Sequence, residues 1–136
     1  MTPQVLLVED DPDHAALTLR AFSRLGFGPE SVTHARDGIE ALEALDAGLR
    51  PDLILLDLRM PRMGGLELLE RLKQSKERRG IPVVILTTSD ADVDMAKAYA
   101  HHVNSYLVKP PRLQALRELI GQVVTYWLGA NRVPAG

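Results

Sequence analysis

The chain has 136 residues, of which 46% are hydrophobic and 25% charged, and its formal net charge is -2 from 16 basic and 18 acidic side chains. That length suits one domain spanning residues 1–136, with a full core, and the composition excludes a disordered chain. No basic excess marks a nucleic-acid surface, and the absence of cysteine excludes disulfides and thiolate chemistry.

The N-terminal stretch MTPQVLLVEDD has no basic region, and its apolar run is too short for a signal sequence or a membrane span. A cytoplasmic protein without membrane partners is the expectation. Val5-Leu6-Leu7-Val8 reads as a strand buried on both faces, ended by Glu9-Asp10-Asp11. Pro12 opens a helix with Asp11 as its cap and Asp13 favourable to the dipole, running to about residue 25 and stopping at Gly26. Residues 31–35 form a more polar strand suited to a sheet edge. Asp37-Gly38 starts a second helix through Ala41, Leu42 and Leu45, closed by Gly48 and Pro51.

The central stretch is PDLILLDLRMPRMGG, residues 51–65. Its apolar run Leu53-Ile54-Leu55-Leu56 ends on a carboxylate, Asp57, and the chain must then leave the sheet through Pro61 and Gly64-Gly65. A third helix follows with apolar residues at 66, 68, 69 and 72. Val83-Val84-Ile85-Leu86 is the next buried-type strand and ends in the hydroxyls Thr87-Thr88-Ser89. A fourth helix over about residues 91–101 leads to a short strand at 105–108, which ends on Lys109. After Pro110-Pro111, a last helix runs over about residues 113–128 and leaves a frayed tail at 129–136.

Strands alternating with helices imply an α/β fold with a parallel sheet and right-handed crossovers. Its five strands and five helices occupy about residues 4–128. With the weak second and fifth strands at the edges, the order is 2-1-3-4-5, matched to the order known for flavodoxin and the chemotaxis receiver. Glu9, Asp10, Asp57, Thr87 and Lys109 then share one rim, beside the switch point where such sheets place their chemistry. Converging carboxylates repel one another unless a hard cation sits between them, and Mg²⁺ takes carboxylates, waters and phosphate oxygens. Thr87 can donate a hydrogen bond and Lys109 offers a point charge, so the set makes a pocket for a phosphoryl group carried on a carboxylate.

VEDDP, ILLDLRMPRMGG, ILTT and YLVKP, in this order and at strand ends, resemble the motifs of the two-component response-regulator receiver domain, over nearly the whole chain. The resemblance implies that Asp57 is the phosphoacceptor. Mg²⁺, or Mn²⁺ in its place, would be held by Asp10, Asp57, Glu9 and the backbone carbonyl of Arg59. Thr87 would be the switch hydroxyl, Lys109 the phosphate lysine and Tyr106 the switching aromatic, with a cis peptide bond before Pro110. It implies a histidine kinase as phosphodonor and no turnover on an external substrate. As no output domain follows, the signal would be a changed protein-contact surface. HVNSYLVKP and the ending YWL further resemble regulators paired with bacteriophytochromes, which implies a light-sensing kinase and a homodimer through the fourth helix, fifth strand and fifth helix. Four positions depart from the common pattern or sit at variable places: Pro111, Thr88, Arg59 and Ser89.

Other readings compete. An aspartyl-nucleophile phosphohydrolase would need a second acid two residues past Asp57, where Arg59 stands. A flavin module would need an open phosphate loop where Glu9-Asp10-Asp11 would repel one. A receiver-like adaptor that works without phosphorylation makes no use of the acidic set. His101-His102 suggests a metal pair, but adjacent residues point to different helix faces, and histidine at a helix end more simply offsets the dipole. Leu113, Leu116, Ile120, Val123 and Trp127 form a core-facing stripe, while Leu119, Val124 and Tyr126 widen it toward a partner.

Overall fold

The computed structural model describes residues 3–131, so 132–136 of the expected tail lie outside the described residues. Three strands, β1 (Val5–Val8), β3 (Leu53–Leu56) and β4 (Val83–Thr87), are buried along their whole length. Strands with no solvent face need cover on both sides. The helices α1 (Pro12–Arg24), α2 (Gly38–Asp46), α3 (Gly65–Gln74), α4 (Asp92–Ala100) and α5 (Leu113–Thr125) supply it. The more polar β2 (Val32–Ala35) and β5 (Ser105–Val108) take the edges. All pairings are parallel and the order is β2-β1-β3-β4-β5, the predicted flavodoxin-like receiver topology.

The alternation of side chains along each strand divides the core in two. Leu6, Val8, Ile54, Leu56, Val83 and Ile85 pack on one side with residues of α2, α3 and α4. Val5, Leu7, Leu53, Leu55, Val84 and Leu86 pack on the other with α1 and α5. Local signals set the helix ends as read from sequence: Asp11 accepts hydrogen bonds from the amides of Asp13 and His14, and Asp37 from that of Glu40. Gly26 and Gly48 follow α1 and α2 with φ of 93° and 112°, where a side chain would be strained.

Two expectations fail at the C-terminal end. The peptide bond before Pro110 is trans, as are all those among the described residues. Trans is the lower-energy form of an X-Pro bond by about 0.5–1 kcal/mol, and Pro111 keeps Pro110 out of the helical region, so the chain leaves β5 extended and enters α5 at Leu113. Nor is residue 129 the start of a fray. The α-helix ends at Thr125, and Tyr126–Ala130 form a π-helical turn closed by a hydrogen bond from the Asn131 amide to the Tyr126 carbonyl at 2.6 Å. The wider turn lets both Trp127 and Leu128 lie against the core on the α1–α5 side. Of the expected stripe, Leu116, Ile120 and Val123 are buried, whereas Leu113 at the first turn is exposed.

Candidate functional site

Sheet register decides which side chains meet. Val8 is level with Leu56, so Glu9 and Asp57 leave the sheet together, and the Asp57 amide donates to the Val8 carbonyl at 3.0 Å. Thr87 is level with Val108, and the Lys109 amide donates to the Thr87 carbonyl at 2.7 Å. Glu9, Asp57 and Lys109 continue the positions of Leu7, Leu55 and Leu107, which all face α1 and α5. Thr87 continues Val83 and Ile85, which face α4. The rim is therefore two sites on opposite sides of one sheet.

On the α1 side, carboxylate oxygens of Glu9, Asp10 and Asp57 all lie within 4.8 Å of one another. Glu9 is almost fully buried, and burial, reinforced by the charge of Asp57, pushes its carboxyl up to about 7 against the pull of Lys109. Lys109 donates to Glu9 and lies 3.8 Å from an Asp57 oxygen. Its Nζ also meets His14 Nδ1 at 3.0 Å. An ammonium only donates, so His14 Nδ1 must carry a lone pair and the ring proton sits on Nε2. The donor set is all oxygen and carries more negative charge than Lys109 offsets, which fits a hard divalent cation. Among the described residues, this is the one cluster of metal-ligating type. His101 instead caps α4, with its Nε2 4.0 Å from Glu70.

The loop after β3 is held where α3 begins. A Cβ at Gly65 would lie 2.3 Å from the Asp57 carbonyl oxygen, so only glycine lets the helix start this close to Asp57. Arg62, in the left-handed region at φ 62°, donates to Asp37 at 2.6 Å and ties the same loop to α2. Burial alone would raise the Asp37 carboxyl, but the Arg62 hydrogen bond and the Glu40 amide outweigh it and hold it below the usual range.

On the α4 side, Thr87 is fully buried and its Oγ1 accepts from the Ser89 amide at 3.3 Å. Ser89 Oγ donates to Asp94 Oδ2 at 2.6 Å, and Arg59 Nη2 donates to the same oxygen at 3.0 Å. Half-buried Tyr106 donates from its hydroxyl to the Ser89 carbonyl at 2.9 Å. Thr88 does not stand in this chain. It is exposed and lines a cleft of about 260 Å³ with His14, Lys109, Pro110 and Pro111.

Sequence reasoning placed Glu9, Asp10, Asp57, Thr87 and Lys109 on one rim; the structure brings the three carboxylates and Lys109 together and sets Thr87 on the opposite face. That reasoning missed His14 and Asp94, which reach the site from the first turns of α1 and α4. A signal existed for His14, three residues past the Asp11 cap and so above the rim. None existed for Asp94, whose partners are 5 and 35 residues away.

A family model for the response regulator receiver domain matches residues 5–121. The chain belongs to this family. Among curated relatives, the probable methanogenesis regulatory protein FilR2 of Methanothrix harundinacea is 47% identical over 135 residues, covering 96% of this chain and 86% of that protein. The crystal structure of the phosphorylated cyanobacterial phytochrome response regulator RcpA superposes with a TM-score of 0.92 at 33% identity, covering 99% of this chain and 100% of that one. The Mn²⁺-bound form of response regulator Rcp1 gives a TM-score of 0.88 at 34% identity, covering 98% and 99%. The chain is thus a receiver domain close to single-domain phytochrome regulators, and its acidic cluster is consistent with the divalent-metal binding of receivers. Among the described residues, no helix is long and apolar enough to cross a membrane.

Proposed function

We propose that this receiver accepts a phosphoryl group on Asp57 from a histidine kinase and signals through a changed contact surface. The observation that carries this reading is the convergence of Glu9, Asp10 and Asp57 beside Lys109 at the end of the central strands. A divalent cation, Mg²⁺ or Mn²⁺, held by Asp10, Asp57, Glu9 and the Arg59 carbonyl would neutralise the phosphoryl oxygens. An Asp57 oxygen forms a bond to phosphorus as the phosphorus–nitrogen bond to the kinase histidine breaks, the nitrogen keeping the electron pair. Lys109, held in place by Glu9 and His14, is within reach of the new oxygens. Thr87 is the hydroxyl that moves, and Tyr106 reports the move through the Ser89 carbonyl.

The protein turns over no external substrate in this reading. Arg59 occupies the position a phosphohydrolase would need for its second acid, and its guanidinium is engaged with Asp94. RcpA supports a phytochrome-type kinase as donor, although the more similar FilR2 carries a methanogenesis regulator's name. Val93, Tyr99, Val108 and Leu113 expose apolar surface along α4, β5 and the start of α5, which supports a homodimer through that face.

Intact-mass spectrometry after incubation with a small acyl-phosphate donor tests the reading. A gain of one phosphoryl group is expected, dependent on Mg²⁺ and absent in Asp57→Asn. An equal gain in the variant would refute Asp57 as acceptor, and no gain in folded wild type would favour an adaptor that works without phosphorylation. Sedimentation equilibrium on the same samples should show a dimer that Val108→Asp weakens, and a strictly monomeric protein would remove the dimer.

A further inference from the structure

The loop that leaves β3 is anchored at two places. The Gly65 amide donates to the Leu58 carbonyl at 2.9 Å, which closes residues 58–65 on themselves at the start of α3. Farther along, Arg62 and Met63 are tied to the start of α2. Arg62 Nε donates to Asp37 Oδ2 at 2.6 Å, and the Gly38 amide donates to the Met63 carbonyl at 3.1 Å. Met63 sits so close that a Cβ on Gly38 would lie 2.7 Å from its side chain. Arg62 holds a φ of 62°, a region that a residue with a side chain rarely enters unless its surroundings impose it. Asp37 is itself held, with a side chain 6% exposed and its other oxygen accepting from the Glu40 amide at 2.9 Å. Arg59 lies between the two anchored points, three residues before Arg62.

We propose that Asp37 is a positioning residue for the divalent cation: acting through Arg62, it fixes the β3–α3 loop and with it the Arg59 carbonyl that takes the ion. This inference rests on the cation site of the proposed function above. Mg²⁺ demands near-ideal octahedral geometry, so a ligand that wanders is a poor one. A backbone carbonyl has no rotamer of its own to adjust, and its place is set by whatever anchors its loop. Residues that hold a ligand in advance spare the ion the cost of ordering it. Asp37 and Arg62 do this from outside the carboxylate cluster, in the α2 corner of the molecule.

The test measures the Mg²⁺ affinity of the full chain by calorimetry at neutral pH, without a phosphodonor. Asp37→Asn keeps the oxygen that caps α2 and removes the charge that holds Arg62. Arg62→Met keeps an apolar stem and removes the other partner. Charge alone would move the two variants in opposite directions, because losing a carboxylate weakens the binding of a nearby cation and losing a guanidinium strengthens it. Positioning moves both the same way: each should bind Mg²⁺ about tenfold more weakly, at the low end of what residues supporting a metal ligand contribute. The double variant should lose no more than either alone, because both cut one connection. Arg62→Lys, which keeps a donor and a charge, should bind more tightly than Arg62→Met. Unchanged affinity in a folded Asp37→Asn protein, or opposite shifts in the two single variants, would overturn the positioning role and leave the receiver reading intact. Trifluoroberyllate, a stable mimic of an acyl-bound phosphoryl group, checks that reading separately by fluorine NMR in saturating Mg²⁺. Wild type that binds Mg²⁺ but not the mimic would overturn the phosphoryl reading alone, and wild type that binds neither would overturn both.

Discussion

The two sides of the rim hold polar groups under opposite conditions. On the α1 side, Lys109 and Glu9 have side chains only 7% and 3% exposed. On the α4 side, Arg59 is 72% exposed and Asp94 19%. Buried charges are costly to leave unpaired, whereas an ion pair in water adds little to stability. The α1 side is thus fixed in place and short of positive charge, a socket for a cation. The α4 side is held loosely enough for its partners to be exchanged, as a switch requires.

Breaking the buried pair should cost most. Lys109→Met leaves Glu9 and Asp57 without their cation and should destabilise the metal-free protein by about 3 kcal/mol at neutral pH. Urea denaturation measures it, and added Mg²⁺ should return part of the loss by binding the native state. An unchanged midpoint would mean that the α1 side is not under charge strain.

An intermediate case sharpens the comparison. Asp37 is buried, but its partner Arg62 is half in water. Asp37→Asn keeps a capping oxygen and loses only the charge facing Arg62, so it should cost about 1 kcal/mol at most. Because the native carboxyl is held below its unfolded value, its contribution is present above the unfolded pKa and fades as the pH falls through the lower native one. The wild-type advantage over Asp37→Asn should therefore begin to shrink as the pH falls below about 4 and vanish only below the lower native value. A constant difference across that range would separate the stability effect from ionisation. The smallest stability effect is expected at the exposed end: Arg59→Ala, at a guanidinium 72% exposed, should move the urea midpoint less than Asp37→Asn does.

These differences also explain what could be read from the sequence. Four-residue apolar runs in β1 and β3 fit buried strands, so the sheet and its carboxylate ends were legible, but that Thr87 faces the other side from Glu9, Asp57 and Lys109 was not read. Order 2-1-3-4-5 followed from which strands were polar, with the help of a known pattern. The trans bond before Pro110, the π-helical turn and the exposure of Leu113 were not legible, because each depends on how α5 docks rather than on its own residues. Asp94 fell unremarked within the expected fourth helix, since its contacts depend on a serine and an arginine on two other loops.

The terminal turn has a practical consequence. Trp127 is the only tryptophan in the chain, packed edge-on against Tyr126 with ring centroids 5.0 Å apart. It lies about 20 Å along the helix axis from Leu113, at 1.5 Å per residue, so it emits from the far end of the molecule. Its fluorescence should be blind to Mg²⁺ settling among the carboxylates. A change in emission on adding trifluoroberyllate would be an optical record of a signal that has travelled the length of α5.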